Sequence, residues 1–233
     1  MLKVEDLHTY YGRAHILAGV AFEAVRGEVV VLLGRNGAGK STTMKAIMGL
    51  VPSARGRILF QGTDITRKQP FEIARLGLGY VPEDRRIFAE LTVEENLEVG
   101  RRPPNANAPA WTPEKLFALF PNLARMRDRP GGQMSGGEQQ MLTIARTLMA
   151  NPAFLLLDEP SEGLAPVIIE QMAKTILDLK REGLTVLLSE QNLHFARAVA
   201  DRALIIEKGC IRFTGTMAEL MANDAVRTQY LSL

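Results

Sequence analysis

The chain has 233 residues, 46% of them hydrophobic and 23% charged, ordinary for a globular protein and long enough to bury a substantial core. A net charge of +2 gives no argument for a nucleic-acid partner, and the sole cysteine, Cys210, excludes an internal disulfide and a Cys-rich metal site. The stretch Met1-Leu2-Lys3-Val4-Glu5-Asp6 is not expected to open a signal peptide, and no apolar run approaches the ~20 residues that span a bilayer, so membrane association is expected to go through a partner.

Taken in chain order, residues 2–9 and 20–24 alternate apolar and polar as half-buried strands do. Val29-Val30-Val31-Leu32-Leu33 is a continuous apolar run and predicts a buried strand. It leads into Gly34-Arg35-Asn36-Gly37-Ala38-Gly39-Lys40-Ser41, which fits the phosphate-loop pattern G-x-x-x-x-G-K-[ST]. Residues 42–49, beginning with Thr42, predict the helix that follows. Glycines there let the backbone wrap phosphates with its N–H groups turned inward. Lys40 can reach β- and γ-phosphates, Ser41 can ligate Mg²⁺, and the helix N-terminus adds partial positive charge. Residues 57–60 predict a short strand between Gly56 and Gln61-Gly62.

The middle, residues 83–150, reads as helical. Thr92 and Glu95 form a capping-box pattern that opens one helix. Residues 101–113 contain four prolines and few apolar residues, and predict a surface loop. Residues 137–150 predict a long helix with Met141, Ile144, Ala145 and Leu148 on one face. Beyond it, 154–157 and 185–188 read as buried strands around a helix at 166–180, and 204–213 as a hairpin turning at Lys208-Gly209. Strands buried on both faces and alternating with helices indicate an α/β protein with a mostly parallel sheet.

Asp158-Glu159 follows four apolar residues. Alone, the pair reads as a strand leaving the core. Beside a phosphate loop, Asp158 can hold Mg²⁺ through water, and Glu159 can deprotonate a water for attack on a γ-phosphate. Met134-Ser135-Gly136-Gly137-Glu138-Gln139-Gln140 would by itself be an ordinary helix start with Ser135 as N-cap, although two glycines and a serine also suit anion binding.

In this order the three elements resemble the nucleotide-binding subunits of ATP-binding cassette (ABC) transporters, over essentially the whole length. The resemblance implies a P-loop NTPase of the ABC type, a single domain over 1–233. Residues 1–82 and 151–233 would form its parallel core and antiparallel β subdomain, and 83–150 its helical subdomain. Ser135, Gly136, Gly137 and Glu138 look like the signature that closes over ATP held by a second cassette. Tyr11 matches the aromatic residue that stacks on adenine, and Ser161-Glu162-Gly163-Leu164 the loop linking the two sites. The resemblance thus implies ATP and Mg²⁺ as cofactors. Lys40, Glu159 and Gln191 would be catalytic. Tyr11, Gly34, Arg35, Asn36, Gly37, Ala38, Gly39, Lys40, Ser41, Thr42, Glu83 and Ser135 through Glu138 would bind nucleotide, and Ser41, Asp158 and Glu83 would meet the metal.

Two positions depart from the common pattern. Glu83 stands where a glutamine usually senses the γ-phosphate, and Gln191 replaces the switch histidine. Gln191 can donate a hydrogen bond but cannot shuttle a proton; His194 reads as a surface helix residue. The loop V-P-E-x-R-R-x-F, the signature M-S-G-G-E-Q-Q, the segment S-x-G-L-A-P and the switch E-Q-N together resemble the shorter cassette of branched-chain or hydrophobic amino-acid importers. That implies a second, paralogous or identical cassette, two membrane-spanning permease subunits meeting the chain near residues 83–88, and indirectly a periplasmic solute-binding protein. It also implies a place on the cytoplasmic face of the membrane and no nucleic acid. A urea or amide importer and a soluble cassette ATPase are the alternatives.

Overall fold

The computed structural model describes residues 1–104 and 108–231. In chain order, β1 (Leu2–Tyr11) and β2 (Ala14–Ala24) form a hairpin, and β3 (Val29–Leu33) leads into α1 (Lys40–Ile47). Then come β4 (Ser53–Phe60), the two-residue β5 (Thr63–Asp64), α2 (Pro70–Arg75) and β6 (Leu78–Val81). The middle carries α3 (Val93–Gly100), α4 (Pro113–Leu119), α5 (Pro121–Ala124) and α6 (Gly136–Leu148). β7 (Phe154–Asp158), α7 (Pro166–Arg181), β8 (Thr185–Glu190) and α8 (Leu193–Val199) alternate. The hairpin β9 (Arg202–Glu207) and β10 (Cys210–Thr216) precedes α9 (Met217–Ala222) and α10 (Asp224–Leu231).

The strands form two sheets. An antiparallel sheet has the order β2-β1-β4-β5, and a six-stranded sheet has the order β10-β9-β3-β8-β7-β6. Within the second sheet only β10 runs antiparallel. Period-2 alternation explains its all-apolar strands, because each face meets a different core. Val29, Val31 and Leu33 face a core shared with α6, α7 and α8. Val30 and Leu32 face a second core shared with α1 and the antiparallel sheet. The carboxyl ends of β3, β8 and β7 therefore lie side by side, with Asp158 registered to Ser189 and Leu33 to Glu190. Crevices outside the carboxyl ends of parallel strands are where α/β sheets place ligands.

The strands read at 20–24 and 57–60 begin earlier, at Ala14 and Ser53, and two further stretches are corrected for identifiable reasons. The helix after the phosphate loop begins at Lys40, two residues earlier than its periodicity indicates, because Gly39 takes the left-handed N-cap position at φ 115°. The stretch 101–113, of which 105–107 lie outside the described residues, is not simply a surface loop. Trp111 in it is buried, its backbone N–H donating to Asn151 Oδ1 at 2.7 Å, while Asn151 Nδ2 donates to the Arg102 carbonyl at 2.9 Å. Pro113 opens α4 instead of closing the loop, a position that suits a residue with no N–H to give.

Candidate active site

A cavity of about 390 Å³ opens at the carboxyl end of β3, lined by Tyr11, Ile16, Asn36, Gly37, Gly39, Lys40, Ser41, Thr42, Glu83, Glu159 and Glu162. The loop between β3 and α1 shapes its floor. Gly37 sits at φ 77° with open space where a side chain would be, so its conformation, not crowding, calls for glycine. Gly34, Arg35 and Ala38 do not line the cavity. Gly34 and Arg35 supply the carbonyls that hold Lys40 Nζ at 2.8 and 3.2 Å. Ala38 is buried, its N–H on the Arg35 carbonyl and its own carbonyl accepting from Gly209.

Lys40 is almost wholly buried and makes an ion pair with Glu159 Oε1 at 3.0 Å. The other carboxylate oxygen of Glu159 accepts from Gln191 Nε2 at 2.7 Å. Both oxygens of the expected base are thus engaged. Glu159 sits at φ 46°, a conformation costly for a residue with a Cβ and one that concentrates at functional sites. Burial works to raise its pKa, but hydrogen bonds from Glu162, Gln191 and Lys40 outweigh it and leave the group below its ordinary value. The neighbouring Glu162 carboxyl is pushed up to about 7, first by its hydrogen bond to Glu159, then by burial and by the charges of Glu159, Glu83 and Glu190.

Asp158 lies beneath the cavity floor. Its Oδ1 accepts from Ser41 Oγ at 3.0 Å and from Ser189 Oγ at 2.7 Å, and its Oδ2 accepts from Tyr80 Oη at 3.1 Å. Burial, then the Asp158 charge, pushes the Tyr80 hydroxyl well above its ordinary value, so it remains a donor. Ser189 also accepts from the Glu159 N–H at 3.0 Å, tying both carboxylates to β8. Among the described residues no group of three His, Cys, Asp or Glu side chains could hold a metal by itself. The donor set of a hydroxyl and a carboxylate, Ser41 and Asp158, instead fits Mg²⁺, which keeps waters and takes phosphate oxygens as its other ligands.

Four contributors were not singled out from the sequence. Tyr80 and Ser189 reach Asp158 only because β6, β7 and β8 are adjacent, and Glu162 reaches Glu159 across a turn. Glu190 is buried beneath the switch and accepts from the N–H groups of Ser161, Gln191 and Asn192 at 3.0–3.2 Å. Burial pushes its pKa up against those hydrogen bonds. Asp158 and Ser189 at matched ends of two apolar runs were the available signal.

Ser135, Gly136, Gly137 and Glu138 do not line this cavity. They start α6, where Ser135 and Glu138 form a reciprocal capping box: Glu138 N–H on Ser135 Oγ at 3.4 Å, and Ser135 N–H on Glu138 Oε2 at 2.7 Å. Ser135 is exposed, and Gly137 packs so closely on α7 that a Cβ would come 2.9 Å from Ile168. His194 is exposed on α8.

A phosphate loop, a buried strand-end Asp-Glu pair and a glycine-led helix start on one mixed sheet define an ATP-binding cassette. The chain belongs to the ABC transporter family, whose model matches residues 17–162. It is an ABC transporter ATP-binding subunit and an ATPase. It is 45% identical over 231 residues to the high-affinity branched-chain amino acid transport ATP-binding protein BraG of Pseudomonas aeruginosa, covering 99% of each chain. It is 37% identical to the lipopolysaccharide export system ATP-binding protein LptB of Haemophilus influenzae, covering 99% of this chain and 97% of that one. Among solved structures, the ADP conformation of MJ1267, an ATP-binding cassette of an ABC transporter, superposes with a TM-score of 0.84 at 30% identity, covering 100% of this chain and 97% of the other. ABC cassettes work as dimers with membrane permease subunits, and no helix among the described residues is long and apolar enough to cross a membrane.

Proposed function

We propose that this chain drives import of branched-chain or other hydrophobic amino acids, as one of two cassettes bound peripherally to permeases on the cytoplasmic face of a bacterial membrane. The observation that carries the catalytic part is the meeting of Lys40, Ser41, Glu159 and, through Glu159, Gln191 at one cavity of about 390 Å³. The similarity to BraG supports the solute class.

In this reading adenine stacks on Tyr11, and the N–H groups of residues 37–42 bind phosphates at the start of α1. Lys40 exchanges the Glu159 carboxylate and the Gly34 carbonyl for β- and γ-phosphate oxygens. Ser41 and, through water, Asp158 would hold Mg²⁺, which would supply charge stabilisation to the transferring group. Glu83 faces the same cavity and meets the γ-phosphate or the ion. Once Lys40 has left it, Glu159 takes a proton from water as the water oxygen bonds to the γ-phosphorus. The bond from that phosphorus to the bridging oxygen breaks, with its electron pair going to ADP. Gln191 donates to a γ-phosphate oxygen, and a second cassette supplies its own signature over this nucleotide.

The LptB similarity spans nearly the whole chain and favours a second reading, service in an exporter. Uptake of labelled leucine into vesicles carrying the chain with the permeases encoded beside its gene separates the two. ATP-dependent uptake supports import. ATP turnover without uptake of leucine or of other hydrophobic amino acids contradicts it.

A further inference from the structure

The loop after β6 holds two consecutive non-glycine residues in the left-handed region, Arg85 at φ 60° and Arg86 at φ 52°. Residues with a Cβ keep that conformation only where their surroundings enforce it. Here the loop's own bonds, Arg85 N–H to the Pro82 carbonyl and the Arg86 guanidinium to the Asp84 carboxylate, are joined by two donors from one helix. Thr143 Oγ1 shares its one proton between the Arg85 carbonyl at 2.8 Å and the Gln139 carbonyl of its own helix at 2.9 Å, and Arg146 Nη2 donates to the Arg86 carbonyl at 2.5 Å. The two donors lie three residues apart on α6 and so share one face. Thr143 is buried, and the Arg146 guanidinium lies 4.8 Å from the centre of the Phe88 ring. Asn96 of α3, fully buried, completes the attachment: its Oδ1 accepts from the Phe88 N–H and its Nδ2 donates to the Phe88 carbonyl, both at 3.0 Å. At the start of α6 the Arg85 guanidinium lies against Gly136, where a Cβ would come 2.6 Å from Nη1.

These bonds join the edge of the nucleotide cavity to the signature helix, and residues 83–87 line a second cavity of about 300 Å³ together with Gln139 of that helix. Glu83, two residues before Arg85, lines the nucleotide cavity, whereas Ser135–Glu138 begin the helix that carries Thr143 and Arg146. Neither Thr143 nor Arg146 lines the cavity. We propose that Thr143 and Arg146 are positioning residues that fasten the Glu83 loop to the signature helix, so that nucleotide contact at Glu83 and presentation of Ser135–Glu138 to the second cassette change together. This rests on the cassette reading above. Coupling of this kind travels through hydrogen-bonded networks attached to rigid elements, and α6 is rigid through its capping box and its buried face.

The alternative is that Thr143 is only a packing residue, and two substitutions separate the cases. Thr143→Val keeps the shape and removes the donor, whereas Thr143→Ser keeps the donor and removes a methyl. The test follows amide hydrogen exchange in the assembled cassette pair, carrying Glu159→Gln to arrest hydrolysis, with and without ATP and Mg²⁺. Before the Thr143 change, ATP should slow exchange at 37–42, 83–88 and 135–139 together. With Thr143→Val, slowing at 37–42 and 83–88 should persist, and that at 135–139 should fall from about tenfold to under about twofold. Thr143→Ser should behave as the parent. Full slowing at 135–139 in Thr143→Val, or its loss in Thr143→Ser, overturns the proposal alone. No ATP-dependent slowing at 37–42 in the parent contradicts the cassette reading itself and removes the proposal with it. If Thr143→Val does not fold, Arg146→Met makes the same test at the Arg86 carbonyl, with Arg146→Lys as its conservative control; unchanged slowing at 135–139 in Arg146→Met overturns the proposal.

Discussion

The nucleotide cavity and the signature helix are prepared in opposite ways. Around the cavity the functional side chains occupy one another: Lys40 holds Glu159, Gln191 holds Glu159, and Ser41 holds Asp158. The start of α6 is instead closed on itself, its cap made and Ser135 exposed, and it lies outside the nucleotide cavity. The difference teaches that one half is self-locked through its own side chains, whereas the other is preformed and presents Ser135 outward.

The harshest way to break the self-locked half is Lys40→Ala. It leaves Glu159 without its cation and the phosphates without theirs, and ATP affinity should fall by about a hundredfold or more in a fluorescent-nucleotide titration. Unchanged affinity would separate the loop from nucleotide binding. Glu159→Gln is more selective. It should keep affinity and lower turnover by about two orders of magnitude, because the phosphate contacts stay while the base is lost. Parental turnover in the purified variant would move the base elsewhere.

Gln191→Ala should have a smaller effect, lowering turnover about tenfold with affinity little changed, since the γ-phosphate contact tightens only on closure. Gln191→His should stay active, because imidazole offers an N–H at similar reach. Melting temperature and turnover from one preparation decide the matter. A lower melting point with unchanged turnover per folded molecule would reduce Gln191 to a turn-capping residue.

The smallest effect is on pH. The Glu162 carboxyl is raised to about 7 in the folded chain, above its ordinary 4.5. The folded state therefore keeps a proton that the unfolded chain releases. The resulting stability is complete below the ordinary value and is lost as pH rises through about 7. Glu162→Gln cannot titrate, so its melting temperature should fall less steeply than the parent's between about pH 5 and 7.5. Parallel curves would mean that Glu162 and Glu159 share no proton.

What could be read from the sequence was what is local in it. The phosphate loop, the Asp158-Glu159 pair and the Thr92 and Ser135 caps are contiguous motifs whose chemistry follows from spacing, and the structure places each on the expected kind of element. The apolar runs at 29–33, 154–157 and 185–188 marked buried strands, since a strand flanked by two cores has no polar face to show. The contacts of Tyr80 and Ser189 with Asp158 depend on the order and register of three strands, which no single run encodes. Glu190 looked like part of the switch motif, yet its carboxylate is spent on three backbone N–H groups. Trp111 sat among prolines that suggested a surface loop, and only Asn151, 40 residues away, reveals why it is held inside. The attachment of Arg85 and Arg86 to α6 was equally hidden, because it joins residues 58 and 60 positions apart.

The claim that the site is completed between two chains is tested most directly by the ATP-dependent association of the Glu159→Gln protein, alone and mixed with the second cassette, followed by sedimentation. A locked half and a preformed half predict monomers without nucleotide and a stable dimer, homo- or heterotypic, once ATP and Mg²⁺ are added. Saturating ATP binding with no association in either mixture would contradict it.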